Sequence, residues 1–127
     1  MPKSRLYEHK SFIMIQINNQ IAGCAIATLK PENRRLTIVN EGPIKQQLNA
    51  IIDQHEYLNL IIDMAGIDLI DSTGLGSLIS IFNHGRNNNC KIKFCNMSDA
   101  VKNVVKMTHL DQILEIFPTL DKATESL

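Results

Sequence analysis

The residues whose types and spacing could carry chemistry form a short polar run with a serine hydroxyl, next to a predicted helix. The run reads Asp71-Ser72-Thr73-Gly74-Leu75-Gly76 and follows a nearly continuous apolar stretch. At the start of a helix the first N–H groups lack partners and the dipole has its positive end. The position of Ser72 therefore favours an anionic group.

An ordinary helix cap explains part of this run. Asp or Ser before an apolar helical pattern is the usual N-cap, worth about 0.5 to 2 kcal/mol. A cap does not explain Gly74 and Gly76 in the first turn, because each costs about 0.8 to 1 kcal/mol of helix propensity relative to alanine. Close approach of another group to the backbone would explain them, which favours a functional surface here.

The run lacks the motifs of common catalytic and phosphate-binding loops. A nucleophile elbow requires glycine two residues before the serine, where this chain has Ile70. A P-loop motif is absent, and residues 74–79 keep two of the three glycines of a dinucleotide-binding loop. The four histidines are scattered, and none is an obvious general base for Ser72: His9, His55, His84 and His109.

Three aspartates near the run invite a comparison with a divalent-metal site. Asp63 alternates with apolar neighbours in a predicted strand, and Asp71 adjoins the start of a helix, while Asp68 lies between them. Structural roles account for the first and the last of these carboxylates. We therefore predict no metal site.

Composition excludes several classes of protein. The chain has 127 residues with 13 basic and 13 acidic side chains, so we expect neither nucleic-acid nor membrane-surface binding. No apolar run approaches the roughly 18 residues of a membrane span, and no secretory signal is evident. The three cysteines form no paired motif, which favours a reducing, cytoplasmic setting. The length suits one domain, residues 1–127.

The first third of the chain predicts a β-meander. Apolar runs at 12–17, 21–29 and 35–40 are separated by turn residues, and the turn at Lys30 to Asn33 is the strongest hairpin signal. A helix with Pro43 as its first residue is then predicted to extend to about His55.

The remainder alternates between strands and helices. Strands are predicted at 58–64 and 91–95, and helices at 73–84, after Ser98 and from Pro118 to about Ser126, whereas 109–117 is ambiguous. A hairpin followed by β-α repeats predicts an α/β fold in which helices pack on a mixed sheet.

Residues 63–78, which contain the DSTGLG run, resemble the signature of STAS domains, the fold of bacterial anti-sigma factor antagonists and of the tails of sulphate transporters. The resemblance extends from about Leu36 to Leu120 and includes the strand and helix after Cys90. It implies a STAS fold. The chain departs from the family in having a longer N-terminus, and residues 1–20 are predicted to extend the sheet edge or mediate dimerisation.

The resemblance also implies a function without enzymatic activity or a cofactor. Ser72 corresponds to the family's phosphoacceptor, with Thr73 as the second candidate. The unphosphorylated protein would bind an anti-sigma factor that is also a serine kinase and so free the sigma factor. That kinase would use ATP to phosphorylate the protein and end binding, and a PP2C-type phosphatase would reverse the modification.

Several neighbours of Ser72 acquire predicted roles in this scheme. Asp71 would orient the loop, and the glycines would let the kinase approach. Leu75 and the exposed side of helix 73–84 would supply apolar contacts, and Glu41 is the candidate acidic residue bordering the site, with Asp68 in the same partner-binding set. The N–H groups of residues 74–76 would receive the phosphate.

A second hypothesis is a stand-alone STAS subunit of a membrane ABC transporter for lipid. The same loop would then dock on the transporter ATPase, and Ser72 would need no phosphorylation. The acidic residue and serine followed by TGLG favour the switch. Nucleotide binding by the domain itself has no phosphate loop to support it.

Overall fold

A computed structural model describes residues 15–127, and residues 1–14 lie outside the described part. A five-stranded sheet has the order β1-β2-β4-β6-β7, and a separate two-stranded ladder joins β3 to β5. The strands are β1 (Ile15–Asn18), β2 (Cys24–Leu29), β3 (Arg35–Leu36), β4 (Asn59–Asp63), β5 (Leu69–Ile70), β6 (Lys91–Cys95) and β7 (Glu115–Phe117). The helices are α1 (Glu41–Asp53), α2 (Ser72–Asn87), α3 (Asp99–Met107) and α4 (Leu120–Glu125).

The predicted mixed α/β fold is confirmed. β1 runs antiparallel to β2, and the other pairings of the large sheet are parallel. β4 is the central strand, and its residues Leu60, Ile61 and Ile62 have no exposed surface, as a strand covered on both faces requires. The structure describes the predicted N-terminal extension from residue 15 onwards. Ile15–Asn18 of this extension form the edge strand β1.

Two apolar clusters lie on opposite faces of the sheet. The larger contains the buried side chains of α1, α2 and α3 together with Leu60, Ile62 and Phe94 of the sheet. The smaller contains Cys24, Ile26, Ile61, Cys95 and Ala123, the last of which belongs to α4. All three cysteines are buried free thiols. Among residues 15–127, no helix is both long and apolar enough to cross a membrane.

The hairpin predicted at Lys30 to Asn33 is wrong. A turn does form there, with the Arg34 N–H donating to the Pro31 carbonyl, but β3 pairs in parallel with β5 instead of returning along β2. β2 already has β1 on one edge and β4 on the other, so neither edge can accept a further strand. The hairpin that does form joins β1 to β2 and turns at Gly23, whose φ is +73°.

The strand predicted at 35–40 ends at Leu36, and α1 begins two residues before Pro43. Asn40 folds the chain between the two elements: its Oδ1 accepts from the Thr37 N–H at 3.0 Å and its Nδ2 donates to the Arg35 carbonyl at 2.7 Å. Pro43 is tolerated in the first turn because the N–H it lacks would have no helical partner there.

Candidate functional site

The site is built where β5 leads into α2, and Asp71 organises it. Asp71 Oδ1 accepts the N–H of Gly74 at 2.7 Å and Oδ2 accepts the N–H of Ile38 at 3.0 Å. The Asp71 N–H donates in turn to the Leu36 carbonyl at 3.3 Å. Asp71 therefore caps α2 and also fixes the segment between β3 and α1 against the start of that helix.

Ser72 is not the cap but the first residue of α2, and it is exposed. Because Asp71 performs the capping, the Ser72 hydroxyl is not required to hold the helix start. Thr73, the second candidate acceptor, is partly buried. Access therefore favours Ser72 over Thr73 as the residue that another protein can modify.

The carboxylate of Asp71 makes the helix start sensitive to acid. The N–H groups of Gly74 and Ile38 lower the pKa of Asp71 below its ordinary value. A lowered folded-state pKa gives stability that is present above the unfolded-state pKa, about 4, and is lost as the pH falls through the folded-state value.

We therefore expect wild type to lose more unfolding free energy than Asp71→Asn between about pH 5 and about pH 2. Asparagine also accepts at an N-cap but does not titrate, so the variant keeps the cap at every pH. Asp68, whose pKa is lowered by Arg34, is present in both proteins and cancels in the comparison. Urea unfolding of both proteins across this range measures the effect, and parallel pH profiles would contradict it.

The two glycines of the first turn have different environments. Gly74 is buried, and a Cβ there would fall against the Leu36 carbonyl, 2.8 Å from its carbon atom. The close approach expected at this glycine is therefore made by the chain's own β3. Gly76 is exposed with open space above it, one helical turn after Ser72. Only Gly76 leaves room for a partner beside the hydroxyl.

Two of the predicted phosphate donors are already engaged. The Gly74 N–H donates to Asp71 Oδ1, and the Leu75 N–H donates to the Asp71 carbonyl at 2.9 Å. A phosphate on Ser72 would compete with the Asp71 carboxylate for the Gly74 N–H and with the first helical hydrogen bond for the Leu75 N–H. The negative charge of Asp71 also lies in the adjacent residue, so the helix start is a less favourable phosphate site than the sequence alone indicates.

Leu75 has little exposed surface for the predicted apolar contact. Leu75 is 8% exposed and packs in the main core, and the exposed face of α2 carries small or polar residues such as Gly76, Ser80 and Asn83. A nearby apolar surface comes instead from Ile38, Val39 and Leu69, which are 70%, 82% and 47% exposed. We call these three residues the Ile38 patch.

The Ile38 patch lies directly beside the capping aspartate. The Ile38 N–H is bound by Asp71, Val39 follows it, and Leu69 lies two residues before Asp71 on β5. The alternating pattern of a strand over residues 35–40 would expose some of its apolar residues, which is the one sequence signal for this patch. The sequence does not reveal the turn at Asn40, which ends the strand early and exposes both Ile38 and Val39.

The two other predicted acidic residues have partners within the chain. Glu41 Oε1 accepts a hydrogen bond from the hydroxyl of buried Ser77, five residues after Ser72. The same oxygen lies 3.9 Å from Lys45 Nζ. Asp68 makes a two-pronged contact with Arg34, at 2.7 Å to Nε and 3.1 Å to Nη2. Glu41 therefore lies against α2, and Asp68 secures the loop before β5.

The aspartates considered for a metal site serve different partners. Asp63 accepts from the Ala65 N–H and from Asn96, Asp68 pairs with Arg34, and Asp71 caps α2. Within residues 15–127 no three histidine, cysteine or acidic side chains converge as metal ligands would.

Comparison with known proteins places this arrangement in a family. The STAS domain model matches residues 19–123, which include every element from β2 to β7. The chain belongs to the STAS domain family. The loop and helix start that Asp71 organises are thus part of a STAS domain.

Several solved structures share the fold. An anti-sigma factor antagonist from Mycobacterium paratuberculosis is 18% identical with a TM-score of 0.76, over 88% of this chain and 91% of that one. The Bacillus cell fate determinant SpoIIAA, in its phosphorylated form, is 15% identical with a TM-score of 0.65, over 88% and 97%. The murine anion transporter Slc26a9 is 19% identical with a TM-score of 0.74, over 97% of this chain and 23% of the transporter.

Proposed function

We propose that this STAS protein is an anti-sigma factor antagonist that changes partners when Ser72 is phosphorylated. The observation that carries the proposal is the exposed Ser72 at the first residue of α2, next to Asp71, which binds the N–H of Ile38, and one helical turn before the open space over Gly76. A kinase that binds the Ile38 patch can also reach the hydroxyl of Ser72. The similarity to antagonists of known structure supports the same role.

The unphosphorylated protein binds an anti-sigma factor with serine kinase activity and thereby releases a sigma factor in the cytoplasm. The kinase transfers the γ-phosphoryl group of ATP to Ser72 Oγ: a P–O bond forms to the serine, ADP leaves, and the hydroxyl proton passes to a base of the kinase. A PP2C-type phosphatase hydrolyses the phosphoserine and restores binding.

Charge at the helix start explains why phosphorylation ends binding. A phosphoserine carries about −1.5 to −2 charges at neutral pH. Asp71 stays ionised because two N–H groups lower its pKa. The phosphoserine and the Asp71 carboxylate would therefore both be negatively charged, in adjacent residues beside the Ile38 patch. Burying such a pair in an apolar interface is unfavourable, whereas leaving it in water costs little. The domain can stay folded while its interface is lost.

We expect Ser72→Asp to stay folded and to lose its kinase partner. Wild type, Ser72→Asp and Ser72→Ala serve as baits in a lysate of the native cells, and captured proteins are identified by mass spectrometry. A small ATP-binding serine kinase should bind wild type and Ser72→Ala and be lost from Ser72→Asp. Adding ATP should phosphorylate wild type and Thr73→Ala but leave Ser72→Ala unmodified.

Two outcomes would overturn the proposal. Binding of the kinase to Ser72→Asp at wild-type affinity would exclude the charge mechanism. Equal capture by all three baits of the ATPase of a membrane transporter would favour the transporter-subunit hypothesis. Circular dichroism of each bait serves as the folding control.

A further inference from the structure

A concave surface lies at the opposite end of α2 from Ser72. It is a cavity of about 560 Å³ bounded by the last turns of α2 and by the residues that begin β4 and β6. Arg86, which lines it, is fourteen residues after Ser72, or about 20 Å along the helix. The cavity is therefore separate from the phosphorylation site.

The walls of this cavity include exposed apolar side chains. Leu58 and Leu127 line it and are 69% and 47% exposed, and Phe82 and Ile92 lie deeper. A volume between about 300 and 1,000 Å³ with mostly apolar walls is typical of small-molecule sites. The cavity thus suits a ligand with a hydrocarbon body.

The charged side chains around the cavity are mainly basic. Arg86, Lys91 and Lys93 line it, and Glu115 is the one acidic side chain among the lining residues. Lys93 is almost fully buried and already donates to Glu115 at 3.1 Å. Arg86 and Lys91 are exposed, and the Arg86 guanidinium lies over the Phe82 ring, 5.7 Å from its centroid. Cys90 adds no negative charge, because burial raises the pKa of its thiol to about 11. An anionic head group would find complementary charge here.

We propose that this cavity binds an amphiphilic anion, a carboxylate carried on a hydrocarbon chain. The chain packs between Leu58, Phe82 and Leu127, and the carboxylate lies between Arg86 and Lys91. A guanidinium with an adjacent ammonium is well suited to this head group, since arginine binds carboxylates through two parallel hydrogen bonds. Nothing in this proposal depends on phosphorylation of Ser72.

Decanoate is the probe for this site, and decyltrimethylammonium is the cationic control with the same chain. Each is titrated into isotope-labelled full-length protein up to about 1 mM and followed by NMR. We expect decanoate to cause saturable shifts at Leu58, Ile92 and Leu127 and none at Ser72 or Gly76. The ammonium compound should bind at least about tenfold more weakly, because it meets two like charges.

Variants assign the head-group contact. The double variant Arg86→Gln, Lys91→Gln should bind decanoate about tenfold more weakly or worse, whereas Lys102→Gln, Lys106→Gln on α3 should bind as wild type does. Both variants change exposed residues, so both should fold. Absence of saturation, equal binding of the two probes, or wild-type affinity in the Arg86, Lys91 variant would each overturn the proposal.

Discussion

Replacing Gly74 with alanine is expected to lower the free energy of unfolding by about 3 kcal/mol, the upper end of the range for overpacking a close contact. The added Cβ would fall against the Leu36 carbonyl and 3.0 Å from Ile70 Cγ1. A backbone carbonyl cannot rotate away as a long side chain can, so α2 or β3 must shift. Such a shift also disturbs Asp71, which bonds to both Leu36 and Gly74.

Gly76→Ala is the matched control, two residues further along the same helix. A Cβ at Gly76 meets no atom within 4 Å, and alanine is the better helix former by about 0.8 to 1 kcal/mol. This variant should therefore be more stable than wild type. Urea unfolding of the three proteins measures both changes. Similar changes in the two variants would contradict the assignment of Gly74 to internal packing and Gly76 to open surface.

Local signals predicted the elements that carry the site. The buried strand β4, the helix α2 and the strand β6 all follow from their apolar periodicity, and the observed bounds differ from the predicted ones by a few residues at most. The Ser98 cap of α3 also forms, with its side chain accepting from the Val101 N–H at 3.2 Å. These features depend on neighbours in sequence, which a single chain reveals.

The segment from Lys30 to Asn40 could not be predicted in the same way. Its turn residues are compatible with a hairpin, and only the occupation of both edges of β2 excludes one. Leu36 pairs instead with Ile70, thirty-four residues later. A parallel pairing over that distance leaves no mark in local composition. This pairing is also what brings Ile38 next to Asp71.

The sequence predicts which residues form the site, and the structure changes the roles of some of them. Ser72 and Asp71 lie together at the helix start, but the sequence left open which of them caps it. Leu75 fits the apolar stripe of the helix and proves to be core, whereas a contact surface requires apolar residues outside that stripe. The Ile38 patch meets this requirement, so we expect it to form the apolar contact with the partner.

The double variant Ile38→Ser, Val39→Ser is expected to weaken binding of the kinase partner about a hundredfold. The two side chains are 70% and 82% exposed in the free protein, and burying each in an interface contributes about 1.5 kcal/mol or more. Together they amount to about 3 kcal/mol, which corresponds to roughly two powers of ten in Kd. Calorimetric titration of the kinase identified with the Ser72 baits measures the change.

Met107→Ser, Ile113→Ser is the control for exposed apolar area as such. These side chains are 80% and 56% exposed but belong to the end of α3 and the segment before β7, outside the Ile38 patch and residues 71–76. The control should bind with wild-type affinity, and both double variants should unfold at the wild-type urea concentration because neither changes the core. Equal loss of binding in both variants would mean that general hydrophobicity holds the partner. Loss confined to the Ile38, Val39 variant would place the partner directly over Asp71, where a phosphate on Ser72 can expel it.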